Sequence, residues 1–385
     1  MKKIKVAQII TRLDWGGSTD IVRYLCQNLK DNYQITLISG FTEHLTLKTK
    51  EFLKNFDGKI IFIPYLRRDI NIFYDILAFI KLYRLFCKEK FDIVHTHTSK
   101  ASFLVRLVAF LTSRKIVIYS THGHIFYGYF NRFLSLLIIL IEKFLTYFTT
   151  KIVVSTLCEK EDFIKYNIAK ADKLVVIYPF LEFQRYKRVE QARKFFNLNE
   201  EDKIVGLIAR LEPVKGVLYF LEAAKLIIKE RQDVKFIIAG EGSLRKRMLK
   251  DIKNLKLENK FIFLGWQEDI NKLLSCMDVL VVPSLNEAVG LVILEAHILC
   301  VPVVATKVGG IPQITKNNET AILIEPKNPV KIKGAVLKIL TDNNLKDRLI
   351  KNAYLWVKEK FLPQKFIKEV DFLYEKLLQE NNIFD

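Results

Sequence analysis

Residues 279–306 read VLVVPSLNEAVGLVILEAHILCVPVVAT, and their pattern decides the fold. The apolar runs at 280–283 and 301–305 have the length and β-branched content of strands buried on both faces. Between them, 284–290 reads as a loop and 291–299 as a short apolar helix. Strand, loop, helix, strand is the repeating unit of a parallel α/β sheet. The first backbone N–H groups of such a helix are unpaired and carry the positive end of its dipole, so the amides of Val289, Gly290 and Leu291 are placed to meet an anionic group.

Two carboxylates flank that turn, Glu287 before the helix and Glu295 within it. Eight residues of helix separate groups by about 12 Å along the axis. A glycosidase acid pair sits about 5 to 9.5 Å apart. Glu287 and Glu295 therefore read as two hydrogen-bond acceptors for hydroxyls at opposite ends of one phosphate-containing ligand; the bland alternative is a pair of solvated surface acids. A second turn has the same character. Residues 203–209 (KIVGLIA) read as a strand running into Arg210-Leu211-Glu212-Pro213-Val214-Lys215-Gly216 and a helix over 217–230. An Arg and a Lys five residues apart on such a turn stand where a parallel α/β domain holds a diphosphate.

Four motifs follow one another: Ala209-Arg210-Leu211 with Lys215-Gly216, Ala239-Gly240-Glu241-Gly242, Glu287 with seven residues before Glu295, and Val308-Gly309-Gly310-Ile311-Pro312. In order and spacing this series resembles the family 4 glycosyltransferases. The resemblance implies a GT-B fold, two Rossmann-like doubly wound α/β domains facing a central cleft. It also implies sugar transfer from a nucleotide diphosphate sugar with retention at the anomeric carbon. Arg210 and Lys215 then match diphosphate ligands, Glu287 a contact to the donor sugar and Glu295 a contact to the ribose. Gly16 and Gly17 match a loop that closes over the donor, and His122 a residue near the reacting sugar. No metal or other cofactor is implied, since the nucleotide sugar is itself a substrate. The chain departs from the family pattern at Ala288-Val289, where Gly-Phe is common, at Pro179-Phe180, where Asn-Gly is common, and at Cys300 and Gln313.

Composition bounds the remainder. At 385 residues, 50% apolar and 27% charged, the chain has the length for two α/β domains and an ordinary globular balance. Five cysteines without a CxxC pair indicate neither disulfides nor a zinc site, and a reduced cytoplasm is the expected setting. Met1-Lys2-Lys3 leads straight into a strand, which is not the pattern of a signal peptide. The net charge is +19, of which residues 1–180 carry +12. That favours an anionic partner; without helix-turn-helix, zinc-finger or RNP-type signals, nucleic acid ranks last behind a membrane surface and an acidic substrate.

Alternating signals continue before and after the central stretch. Strands are expected at 4–10, 34–39, 59–64, 92–95, 116–120, 151–155 and 174–178 in a first domain. A second domain should carry strands at 203–209, 235–239, 261–264, 279–282, 301–305 and 321–324. Helical periodicity is clearest at 21–29, 72–87 and 101–111, and resumes at 330–340, 345–361 and 364–381. The hinge falls near 180, giving domains 1–180 and 181–363, with the final helix from about 364 expected back on the first domain.

Ligands of doubly wound sheets sit at the carboxyl ends of the strands. Asp14-Trp15-Gly16-Gly17-Ser18, His95-Thr96-His97-Thr98-Ser99-Lys100 and Thr121-His122-Gly123-His124 fall at such ends. Four histidines in two clusters invite a metal reading, against which stands the lack of nearby carboxylates. The most apolar stretch, 126–148 (FYGYFNRFLSLLIILIEKFLTYF), is too short in its dense part to span a bilayer. It reads either as a core helix or as one that rests on a membrane surface, and Tyr127, Tyr129 and Phe130 are candidates to line an acceptor groove. The expected function is transfer of a sugar to a lipid-linked or cell-surface polysaccharide precursor, at the inner face of the cytoplasmic membrane. A nucleotide-sugar epimerase of similar fold and a non-catalytic glycan- or lipid-binding protein are the rival readings.

Overall fold

The computed structural model describes residues 3–14, 16–29, 33–42, 45–123 and 131–383. The chain divides into two compact units: one holds the residues up to Pro179 together with Gln364–Asp385, the other Phe180–Pro363.

The first unit contains seven strands, β1 (Ile4–Arg12), β2 (Tyr33–Gly40), β3 (Lys59–Phe62), β4 (Ile93–His97), β5 (Ile116–Ser120), β6 (Lys151–Val154) and β7 (Leu174–Val176). They form one parallel sheet in the order β3-β2-β1-β4-β5-β6-β7. Every residue of β4 and β5 is buried, which explains why these segments read as short runs rather than alternating patterns. A cluster including Ile9, Phe86, Val94, Val105 and Val117 fills one side of the sheet. The final helix, Pro363–Glu380, packs its Phe366, Val370 and Tyr374 into this unit, with the Tyr374 ring edge-on to Tyr33.

The second unit has β8 (Lys203–Ile208), β9 (Val234–Ala239), β10 (Phe261–Gly265), β11 (Val279–Val282), β12 (Val303–Thr306) and β13 (Ile322–Ile324), all parallel in the order β10-β9-β8-β11-β12-β13. The helix Val217–Glu230 turns Phe220, Leu221, Ala224 and Ile227 onto the sheet at helical spacing, against Phe236 and Val281. In each sheet the order reverses once, between β1 and β4 in the first and between β8 and β11 in the second. Those reversals are the topological switch points beside which doubly wound folds bind ligands.

Three expectations are corrected. First, β4 continues through His97, so His95 and His97 lie inside a buried strand and not in the loop after it. Second, the apolar stretch forms the helix Arg132–Leu145, started by Asn131, whose side chain accepts from the Leu134 N–H at 2.9 Å. Within that helix only Glu142 and Leu145 are buried, while Phe133 is 78% and Leu140 54% exposed. The core reading therefore fails for the described part of the stretch. Residues 124–130, including His124, Tyr127, Tyr129 and Phe130, lie outside the described residues, as does Trp15. Third, the helix begins at Leu291, after Glu287, so Glu287 and Glu295 are not joined by eight residues of helix and the 12 Å helical separation does not apply to them.

Candidate active site

In the second unit, three turns at the carboxyl ends of β8, β11 and β12 interlock. Arg210 follows β8, and the chain passes through a single turn at Pro213–Lys215 to Gly216, whose φ of 65° is left-handed. A Cβ at Gly216 would stand 1.9 Å from the carbonyl oxygen of Pro283, so only glycine lets this turn approach the end of β11. The Leu285 N–H donates to the Val214 carbonyl at 2.8 Å, which ties the two turns by their backbones. The third turn joins in the same way. Gly310 N–H donates to the Glu287 carbonyl at 2.9 Å, and a Cβ at Gly309 would lie 2.0 Å from that oxygen. The glycines of the first and fourth sequence motifs thus let backbones meet; Gly240 of the second in the same fashion leaves no room for a Cβ against Ala209.

The interlocking brings together side chains that are distant in sequence. Lys215 Nζ lies 2.5 Å from Glu287 Oε2, and Ser284 Oγ donates to the same oxygen at 3.2 Å. Both partners of the ion pair are largely, not fully, withdrawn from solvent. Gly290, at φ 79°, caps the helix Leu291–Ile298 with no side-chain hydrogen bond, so its first amides point out of the helix end beside Glu287. Val289 is buried and Leu291 half-buried at that end. Glu295 faces a different partner, accepting from the Tyr186 hydroxyl at 3.1 Å. Two acids with separate partners do not form a dyad that shares a proton. Next to Arg210, Glu212 accepts from both the N–H and the hydroxyl of Ser243, which together with the Arg210 charge hold its carboxyl below the usual range.

The first unit carries its own polar cluster at the switch between β1 and β4. Gly16, at φ 139°, has open space where a Cβ would be and precedes the helix Gly17–Asn28. His122 follows β5 in a left-handed conformation, φ 51°, that is strained for a residue with a side chain. Its Nε2 lies 2.9 Å from His97 Nδ1, and His97 Nε2 lies 2.8 Å from Gln8 Oε1. Gln8 Nε2 donates to the Tyr374 hydroxyl at 2.9 Å; His95 spans from that hydroxyl (2.6 Å) to Ser120 Oγ (2.8 Å). Burial pushes His95 down to about 3, His122 to about 4 and His97 well below the ordinary imidazole value, so all three are neutral at pH 7. The histidines are thus spoken for by one another and by Gln8, Ser120 and Tyr374. Among the described residues no group of three or more His, Cys, Asp or Glu is arranged to hold a metal ion. Sequence reasoning missed Gln8, Tyr374, Ser284 and Tyr186; only Ser284, three residues before Glu287, stood near a motif.

Comparison with known proteins bears on the family and the fold. Residues 188–356 match the family model described as glycosyl transferases group 1, and residues 15–185 that described as Glycosyltransferase Family 4. Over 323 residues the chain is 30% identical to the Escherichia coli UDP-Gal:alpha-D-GlcNAc-diphosphoundecaprenol alpha-1,3-galactosyltransferase, a match covering 82% of this chain and 83% of that one. The chain belongs to the family 4 glycosyltransferases. This glycosyltransferase is also 27% identical to the Staphylococcus aureus capsular polysaccharide biosynthesis glycosyltransferase CapM, over 88% of its own length and 90% of the relative's. The crystal structure of Anabaena HepE in complex with UDP and glucose superposes with a TM-score of 0.83 at 19% identity, covering 97% of this chain and 100% of that one. The fold of the glycosyltransferase is GT-B, with two parallel-sheet Rossmann-like α/β domains.

Proposed function

We propose that this enzyme moves a sugar from a nucleotide diphosphate sugar, with retention, to a lipid-linked precursor of a surface polysaccharide. The observation that carries the donor assignment is the meeting of Lys215, Glu287 and the amide end at Gly290 beside the β8/β11 switch point, with Arg210 on the same turn as Lys215. In this reading Arg210, Lys215 and the amides of Val289, Gly290 and Leu291 hold the diphosphate. Glu287 accepts from hydroxyls of the sugar and Glu295 from those of the ribose. Lys215 exchanges part of its contact with Glu287 for a phosphate oxygen when donor binds. Gly16, Gly17 and His122 are taken as further donor contacts on the family resemblance alone.

The chemistry needs little else. As the bond from the anomeric carbon to the phosphate oxygen breaks, negative charge grows on the leaving diphosphate, where the two cations and the amides stabilise it by several kcal/mol. The acceptor oxygen bonds the anomeric carbon on the face the phosphate leaves. Its proton passes to a phosphate oxygen, so no separate general base is required and no metal is assigned a role. Incubation with UDP- and GDP-sugars and a polyprenyl-diphosphate-linked sugar tests this. Acceptor-dependent release of nucleoside diphosphate, a product with the donor's anomeric configuration by NMR, and activity surviving chelator are expected. Inversion, or donor hydrolysis indifferent to acceptor, would reject the reading.

The acceptor's lipid brings the membrane into the proposal. No helix among the described residues is long and apolar enough to cross a bilayer. On the Arg132–Leu145 helix, however, Phe133, Leu136, Leu137, Leu140 and Phe144 are exposed, and Ile72, Phe73, Ile76 and Ile80 are exposed on the helix Ile72–Lys88. Such apolar faces on a half-chain with an excess of twelve positive charges suit an anionic lipid surface. The protein is expected to pellet with anionic vesicles at low salt and to release as ionic strength rises; equal pelleting with neutral vesicles would remove the charge argument.

A further inference from the structure

The second unit begins at Phe180, and a short way along, the segment 185–189 grips the helix that carries Glu295. The Tyr186 hydroxyl donates to Glu295 Oε1 at 3.1 Å, and Arg188 Nη1 donates to the carbonyls of Leu299 and Cys300 at 3.1 and 3.4 Å. Those carbonyls lie at the carboxyl end of the helix Leu291–Ile298, where the negative end of its dipole favours a guanidinium. The segment is itself tied down on both sides of Tyr186. Asn271 Nδ2 donates to the Arg185 carbonyl at 2.8 Å, and the Val189 N–H donates to Ser275 Oγ at 3.0 Å; both partners stand on the helix Ile270–Ser275. The hydroxyl that meets Glu295, from a residue 109 positions earlier in the chain, is therefore held in place by contacts that do not involve Glu295.

We infer that Tyr186 is a positioning residue for the donor: it holds the Glu295 carboxylate in the orientation that accepts from the ribose hydroxyls, and so sets the preference for a ribonucleotide. The inference rests on the assignment of Glu295 to the ribose made above; the bond between Tyr186 and Glu295 does not. A glutamate side chain is rotamer-rich, and ordering it at the moment of association costs affinity. The tyrosine hydroxyl orders it beforehand. A carboxylate has two oxygens and about four acceptor sites, so a hydroxyl on Oε1 is compatible with ribose hydroxyls on the same group. The contribution belongs to the ribose and not to the diphosphate, whose proposed ligands Arg210 and Lys215 stand on the turn after β8. A phenylalanine at 186 would fill the same space without the bond.

Calorimetric titration of UDP, GDP and their 2′,3′-dideoxy forms separates ribose recognition from the rest of the nucleotide. The parent should bind UDP or GDP at least about tenfold more tightly than the matching dideoxy form, the scale of a hydrogen bond to a charged group. In Tyr186→Phe the affinity for that ribonucleotide should fall about fivefold, the scale of immobilising one rotamer-rich side chain, while the affinity for the dideoxy form stays within about twofold of the parent's. Both ligands carry the same diphosphate, so a variant that merely disturbs the fold would weaken the two alike, and that result would overturn the inference. A rise in ribonucleotide affinity would overturn it too, since Tyr186 would then compete with the ribose for Glu295. Glu295→Ala is the second arm. It should abolish the preference for the ribonucleotide, and adding Tyr186→Phe to it should leave both affinities unchanged. A further fall in the double variant would mean that Tyr186 acts on something other than Glu295. A preference lost in Glu295→Ala but intact in Tyr186→Phe would overturn the positioning role and leave the donor reading standing. A preference intact in Glu295→Ala would remove Glu295 from the ribose, and both readings with it.

Discussion

The two switch points solve the same problem with different materials. At β8/β11 the site is built by backbone: turns after three strands hydrogen-bond to each other, glycines remove the Cβ atoms that would hold them apart, and the charged side chains sit on top. At β1/β4 the site is built by buried side chains, a file of Gln8, three histidines, Ser120 and Tyr374 with Gly16 in open space at its margin. Backbone construction leaves motifs of fixed spacing. Side-chain construction leaves almost none. The two units differ in their ion pairs too: Arg106 and Glu142 meet at 2.8 Å with essentially no exposure, while Lys215 and Glu287 keep some contact with solvent.

That difference gives the largest expected effect. Arg106 reaches Glu142, the Ser102 carbonyl and the face of Tyr119, 4.4 Å from the ring centroid. Arg106→Ala leaves a buried carboxylate uncompensated and should cost about 3 to 5 kcal/mol in chemical denaturation. A loss under 1 kcal/mol would show that Glu142 escapes to solvent and that the apolar helix carrying it is not anchored by this pair.

Acid should separate the units next. In the first, His95, His97 and His122 are held neutral by burial; in the second, His297 is the buried one, pushed down to about 3. An unfolded histidine titrates near about 6.5. Below that value the unfolded chain binds protons that the folded chain refuses, so this stability is fully present above about 6.5 and drains as pH falls toward 4. Pulse proteolysis with mass-spectrometric mapping should find cuts in β1, β4 and β5 at a higher pH than in β8 and β11. The reverse order would break the comparison.

The glycines sharpen it further. Gly309→Ala forces a Cβ against the Glu287 carbonyl and should lower stability by about 1 to 3 kcal/mol, whereas at Gly16 the cost comes from the positive φ alone. Equal melting temperatures for Gly309→Ala and the parent would mean that the interlocked turns are softer than described. The smallest effect belongs to the exposed helix. Phe133→Ser with Leu140→Ser should change stability by no more than about 0.5 kcal/mol while reducing pelleting with anionic vesicles. A large fall in melting temperature would return this helix to the core.

Much of this was legible in the sequence, for reasons the structure makes concrete. All thirteen strands among the described residues stand where apolar runs placed them; the inner ones are buried on both faces and leave unbroken runs, whereas the edge strands β3 and β10 are only partly covered. Arg210, Lys215, Glu287 and Glu295 stood out because backbone construction demands glycines at set intervals around them. The end of β4 was misjudged because His95 and His97 are polar residues in a fully buried strand, which periodicity cannot distinguish from a loop. The helices Leu47–Asn55, Leu157–Lys165, Arg245–Asn254 and Ile270–Ser275 passed unseen, since each buries only two residues and their apolar stripes are too thin to register. Tyr374 was beyond reach, its partners Gln8 and His95 lying 366 and 279 residues away.

The central claim is that the backbone-built site holds a nucleoside diphosphate through Lys215. Calorimetric titration of UDP and of GDP into the parent and into Lys215→Ala tests it most directly. One nucleotide should bind the parent, and its affinity should fall roughly ten- to hundredfold in Lys215→Ala, the loss of one charge-assisted contact of about 1.5 to 3 kcal/mol. Equal affinity in the two proteins, with Lys215→Ala folded as the parent is, would contradict the account.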